Sequence, residues 1–238
     1  MSHPPLRVGP GSTASIPDAA AYAGRMPESP FDQRRYQVRH DWSVEGLRRL
    51  APADVVVVVD VLRFSTTVTD AVARGERVPL DAAAHAVSLN GAAVAKAAGE
   101  TEAIVLLGSL RNASAVARTV LDIQRRRGER TSIAVIAAGE LAGREPGAPL
   151  RFAVEDQLGA GAIVDALGAL GIDHTSPESA AACEAFRGLR GAVRHLLTAS
   201  GSGQELLDRD SRDEVLAAAA VDAASVVSVL RDGSFVAY

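Results

Sequence analysis

The stretch that decides the fold is Asp54-Val55-Val56-Val57-Val58-Val59-Asp60-Val61-Leu62-Arg63-Phe64-Ser65-Thr66-Thr67. Five consecutive valines with no polar alternation describe a strand covered on both faces, as in a parallel sheet flanked by helices. The run stops at Asp60, and Ser65-Thr66-Thr67 opens a helix expected to reach Arg74, with Gly75 ending it. Outward from this unit the pattern repeats. Ala103 to Leu107 reads as a strand, Gly108-Ser109 as a turn and Asn112 to Arg127 as a helix closed by Gly128, while Ser132 to Ala137 is a third strand ending in a Gly/Pro loop through Pro149. Helices are expected at Val154 to Leu170, Glu178 to Thr198 and Gln204 to Ala224. Val226 to Tyr238, with Asp232-Gly233 at its centre, reads as a hairpin. Before the valine strand, the alternation Tyr36, Val38, His40, Trp42 suggests an edge strand. A short helix capped by Ser43 and ended by Pro52 follows it. Val78 to Leu80 is a brief further strand.

Strands alternating with helices predict a three-layer α/β/α fold with a mainly parallel, mixed sheet, to which the terminal segments add antiparallel strands. Ligands of such sheets bind beyond the carboxyl ends of the strands, so Asp60, Gly108-Ser109 and Gly139-Glu140 are expected on one rim. Six of the eleven prolines fall within the first 30 residues. That part, to about residue 35, reads as a disordered leader, because it has little apolar surface to offset ordering entropy. Residues 36–238 are then a single domain.

Composition narrows the function classes. The chain of 238 residues is 47% hydrophobic but only 4% aromatic, and 45 residues are Ala, so its core is built by close approach of helices and strands. A net charge of -4 and scattered arginines lack the footprint of a nucleic-acid binder. Lys96 is the sole lysine, and no GxxxxGK[ST] sequence exists, which excludes a P-loop nucleotidase. Cys183 is the single cysteine and reads as a buried hydrophobe in a reducing compartment. The five histidines lack zinc-site spacing. No secretory signal opens the chain and no apolar run approaches a membrane span of about 20 residues. A cytoplasmic protein without membrane partners is the expectation.

Chemistry concentrates after the valine strand. A carboxylate at the strand end, Arg63 three residues later and hydroxyls at a helix start describe an anion site, in which Ser65 and Thr66 join the helix amides and Arg63 supplies a fork. Mg2+ bridging Asp60 and a phosphate reconciles the carboxylate with the anion; a helix cap with a structural Asp-Arg pair explains the same spacing equally well. An aspartyl phosphatase of the haloacid dehalogenase type needs a second acid where Leu62 stands, and that assignment is rejected. Ser109 and Asn112 offer a second anion cradle or ordinary helix caps. Asn90-Gly91 reads as a turn, Glu140 as a ligand or a solvated acid, and Glu155-Asp156 as metal ligands or dipole-favoured charges.

Four segments, Asp60 to Thr67, Gly108 to Ser114, Ala153 to Gly161 and Ser200 to Leu206, resemble in sequence and order the 2-phosphosulfolactate phosphatase (ComB) family, over about residues 54 to 236. The resemblance implies a magnesium-dependent phosphatase converting 2-phosphosulfolactate to sulfolactate and phosphate, on the route to coenzyme M. It makes Asp60 and Arg63 the catalytic pair and Ser65, Thr66, Asn90, Gly91, Ser109 and Asn112 the substrate-binding residues. Asp60, Glu155 and Asp156 become the metal shell. The partner is a small phosphorylated anion, with a homodimer left open. The family's Thr-Asn-Gly-Thr turn survives only as Leu89-Asn90-Gly91-Ala92, and the segment between residues 78 and 88 is shorter than in the family. A non-catalytic family member that binds a small anion or a protein partner is the alternative.

Overall fold

The computed structural model describes residues 29–81, 89–143 and 148–238. The chain divides into two compact units, Met1–Pro30 and Phe31–Tyr238; the elements below belong to the second. Most of the expected leader, the shortened segment at 82–88 and part of the Pro/Gly loop lie outside the described residues.

A seven-stranded sheet forms the middle layer. Its strands are β1 (Val38–Trp42), β2 (Val55–Val59), β3 (Val78–Pro79), β4 (Ile104–Gly108), β5 (Ile133–Ala137), β8 (Ser228–Arg231) and β9 (Ser234–Ala237), in the order β1-β5-β2-β4-β8-β9-β3. The valine strand β2 pairs in parallel with β4 on one side and β5 on the other. All five of its valines are buried. Val55, Val57 and Val59 point into one apolar core, and Val56 and Val58 into the other. The missing polar alternation is thus explained, since neither face of β2 meets water.

The first core is closed by helices α4 (Ala113–Arg127), α5 (Val154–Ala169), α6 (Pro177–Leu189) and α7 (Val193–Ala199), with α8 (Gly201–Leu207) and α9 (Arg212–Ala218) beyond them. The second lies under α1 (Ser43–Arg49), α2 (Phe64–Ala73) and α3 (Leu89–Gly99). This is the α/β/α architecture expected from the strand-helix alternation. Helix α5 passes so close to α6 that a Cβ on Gly161 would collide with the Ala182 carbonyl. The alanine and glycine surplus therefore acts at helix-helix contacts as well as on the sheet.

Several local expectations are corrected. The N-terminal strand β1 is an edge strand, but it runs parallel to β5; among the described strands of this seven-stranded sheet, the C-terminal hairpin and β3 supply the antiparallel pairings. Helix α1 begins at Ser43, and Trp42 occupies the capping position. The helix expected over Glu178 to Thr198 breaks at Arg190–Ala192, and that over Gln204 to Ala224 is two short helices followed by irregular chain. Composition rich in Ala and Leu carries no break signal when capping is weak, so periodicity alone runs the helices together. Within the Gly/Pro loop, Glu140–Leu141 (β6) pairs with Leu150–Arg151 (β7) as a two-stranded ribbon.

Candidate active site

The carboxyl ends of β2 and β5 and the N-terminal ends of α2, α3 and α5 meet at one rim, and buried carboxylates occupy it. Asp60, 4% exposed, accepts the Phe64 amide on Oδ1 at 3.0 Å and the Gly91 amide on Oδ2 at 3.1 Å. It therefore receives an amide from the first turns of both α2 and α3, where the helix dipole favours a negative charge. Asn90 and Gly91 lie in the first turn of α3 and not in a free turn. Glycine at 91 is a steric necessity: a Cβ there would overlap the Asp60 carboxylate and stand 2.8 Å from the Phe64 Cβ.

Asp156 is held in the same manner from the other side. Its Oδ1 accepts the Val61 amide at 2.7 Å and its Oδ2 the Gly139 amide at 2.9 Å, stitching α5 to the ends of β2 and β5. Burial, reinforced by the nearby charges of Asp60 and Glu155, pushes the Asp156 carboxyl well above the usual carboxylate range, against the lowering effect of its two amide bonds. Glu155 is 2% exposed, and its Oε2 is buried without a hydrogen-bond partner. An orphan carboxylate oxygen beside two other acids is costly unless a proton or a cation joins it.

Glu140 extends the cluster. Its Oε1 receives Asn90 Nδ2 at 3.4 Å and the Leu141 amide at 3.1 Å, and its Oε2 receives the Ser202 hydroxyl at 3.1 Å. Asn90 also donates to the Gly139 carbonyl at 2.9 Å. Glu140 and Glu155 face a shared cleft of about 200 Å³ between β7 and the start of α8, with Arg151, Phe152 and Ser202 among its walls.

The other residues expected at the site sit differently. Ser65 Oγ donates to the Val58 carbonyl at 2.9 Å and Thr66 Oγ1 to the Val61 carbonyl at 2.8 Å, so each commits its only hydroxyl proton to the backbone. The anion expected at the start of α2 is supplied by the protein itself, as Asp60. Asn112 is fully buried; its Oδ1 accepts the Ser109 amide at 2.9 Å and its Nδ2 reaches the carbonyls of Leu107 and Val226, both at 3.2 Å. With Ser109 it forms a capping box that anchors the approach to strand β8, at the end of β4 that pairs with the end of β2. Arg63 follows a cis Leu62–Arg63 peptide bond and pairs with Glu214 on α9 at 2.8 Å. Glu214, Arg151 and Ser202 were not identifiable as partners from sequence. Ser202 alone carried a signal, as part of the Ser200-Gly-Ser-Gly segment.

A magnesium ion can be tested against this donor set. Among the described residues no three His, Cys, Asp or Glu side chains are grouped to hold a metal ion. Mg2+ rarely uses such a cage, however; one or two carboxylates, waters and substrate phosphate are its usual shell. The orphan oxygen of Glu155, hard and buried, meets that requirement. No helix among the described residues is long and apolar enough to cross a membrane.

Comparison with curated proteins found no match. The profile of one family, described as 2-phosphosulpholactate phosphatase, matches residues 81–233. That span takes in the Asn90-Gly91 helix start, the Ser109 capping box, Glu155-Asp156 and the Ser200 segment; Asp60 to Thr67 precedes it. With more than half of its residues matched, the chain belongs to the 2-phosphosulpholactate phosphatase family.

Proposed function

We propose that the protein is a magnesium-dependent phosphomonoesterase acting on 2-phosphosulfolactate or a closely related small phosphorylated hydroxy acid. The observation that carries this reading is the buried trio Asp60, Glu155 and Asp156, of which Glu155 retains an unpartnered oxygen, in a chain of a phosphatase family. Glu155 would hold the ion in the cleft that it shares with Glu140, while Asp60 and Glu140 are linked through the adjacent Gly91 and Asn90. Bound there, Mg2+ would neutralise phosphate charge and lower the pKa of a coordinated water.

The protein's own groups have separate tasks. Asp60, locked by two helix amides, presents a carboxylate of fixed orientation at the rim. Asp156, held protonated more readily than an ordinary carboxyl, limits the charge of the trio and can keep a proton at its carboxyl oxygens. Arg63 is half exposed and tied to Glu214, from which it is free to turn to the phosphoryl oxygens that gain charge in the transition state.

Phosphate release from 2-phosphosulfolactate and from a panel of phosphomonoesters, with magnesium and with chelator, tests the proposal. Hydrolysis that stops with chelator and falls at least about a hundredfold in Asp60→Asn is expected. No release from any substrate by the folded protein would refute it. A second reading, an anion-binding family member without turnover, is favoured by the segment between residues 78 and 88, which is short beside the family pattern that the chain resembles. It predicts magnesium-dependent anion binding with no phosphate released.

A further inference from the structure

The cleft beside the carboxylates has a charge problem that one residue answers. Glu140 and Glu155 both face it, and Arg151 is the one cationic side chain among the described residues lining it. A small dianion cannot approach two carboxylates without compensating positive charge, and one divalent ion next to Glu155 serves only one end of the molecule. The second end needs its own cation.

Arg151 is placed for that task. It lies on the β7 half of the ribbon, three residues before the glutamate-bearing helix α5, and its backbone is fixed by pairing with Glu140 across the ribbon. Its guanidinium lies directly on Gly201, at the first residue of α8, where any Cβ would overlap Nη2. Arg151 makes no ion pair among the described residues, unlike Arg63, Arg111 and Arg187, each of which is held by a carboxylate. The cleft, at about 200 Å³, is below the roughly 300–1,000 Å³ of sites for drug-sized ligands. It suits a compact acid of a few carbons.

We propose that Arg151, seated on Gly201, binds the sulfonate of the substrate, the anionic group remote from the phosphate-bearing carbon, and so sets a preference for sulfonated over plain hydroxy acids. This rests on the phosphatase reading for the word substrate, but the binding it describes is measurable without turnover. A planar guanidinium offers two parallel N–H donors to such a group, a geometry that lysine lacks. Gly201 is the floor that keeps the fork in the cleft.

Calorimetric titration of sulfolactate and of lactate, which differ by the second anionic group, into magnesium-loaded protein tests the assignment. Wild type is expected to favour sulfolactate by roughly tenfold or more, Arg151→Met to lose that preference, and Arg151→Lys to recover part of it. Gly201→Ala must shift the guanidinium and is expected to weaken the preference while Arg151 is still present. Circular dichroism confirms that each variant is folded. Equal preference in wild type and Arg151→Met would overturn the proposal, as would failure of wild type to discriminate the two acids. Should wild type bind sulfolactate through Arg151 yet release no phosphate from any ester, the subsite stands and the phosphatase reading falls.

Discussion

The amide of Gly91 donates to Oδ2 of Asp60 across 31 residues of sequence, and no side chain larger than hydrogen fits between them. This contact sets the start of α3 against the end of β2. Gly91→Ala is therefore expected to push α3 off the rim, costing about 1–3 kcal/mol in urea unfolding, and to abolish the activity of the molecules that remain folded. A variant with unchanged midpoint and turnover would show that Asp60 is not held by this contact.

Asn112 separates a structural from a substrate role. Its side chain serves three buried backbone groups, in Ser109, Leu107 and Val226. Removing it in Asn112→Ala should lower stability by about 2–4 kcal/mol, while kcat/KM per folded molecule stays within about twofold. A stable variant with a raised KM would instead return Asn112 to the binding site.

The Arg63–Glu214 pair is exposed on both sides, so its contribution to stability is small. Glu214→Gln is expected to shift unfolding by less than about 1 kcal/mol. Its kinetic effect is the informative one, because Arg63 is released for phosphate: KM should fall and become more sensitive to salt. In the wild type the hydrogen bond to Arg63 holds the Glu214 carboxyl below the usual range. The restraint therefore persists at neutral pH and is lost as pH falls through that lowered value.

His40 supplies a pH dependence of stability. It is buried on β1 with Nδ1 2.9 Å from the Val135 carbonyl, and burial pushes its pKa below the usual 6.5, the Val135 contact opposing. The unfolded chain then binds more protons than the native one as pH drops below 6.5. Stability should be complete above that value and decline toward the folded pKa, with a slope from this group of at most about 1.4 kcal/mol per pH unit. Thermal unfolding of wild type and His40→Gln between pH 5 and 8 should show the difference flattening in the variant; parallel profiles would contradict it.

The path from sequence to site was uneven for identifiable reasons. A run of five valines leaves no alternative to a two-sided strand, and the rim position of Asp60 follows from where that strand ends. The hydroxyls after it misled in detail. Ser65 and Thr66 can hydrogen-bond an anion or the backbone, and only the folded path of the chain, which brings the carbonyls of Val58 in β2 and of Val61 after it within reach, chooses the backbone. Likewise Asn90-Gly91 has the composition of a turn, yet the carboxylate of Asp60 caps it into a helix. Glu214 and Arg151 gave no local sign, since their contacts to Arg63 and Gly201 cross 151 and 50 residues.

What the amino-acid sequence determined by itself was the layer order, the buried β2 strand and the family, because hydrophobic periodicity and short ordered segments are local properties of the chain. Tertiary structure alone decided which charges meet. Three acids from two segments are brought under cover at one rim, the anion seat of α2 is filled by the protein's own Asp60, and Arg151 is laid on a glycine beside them. Electrostatic energy depends on separation in space and on exclusion of water, and neither is written in residue spacing once the partners lie on different elements.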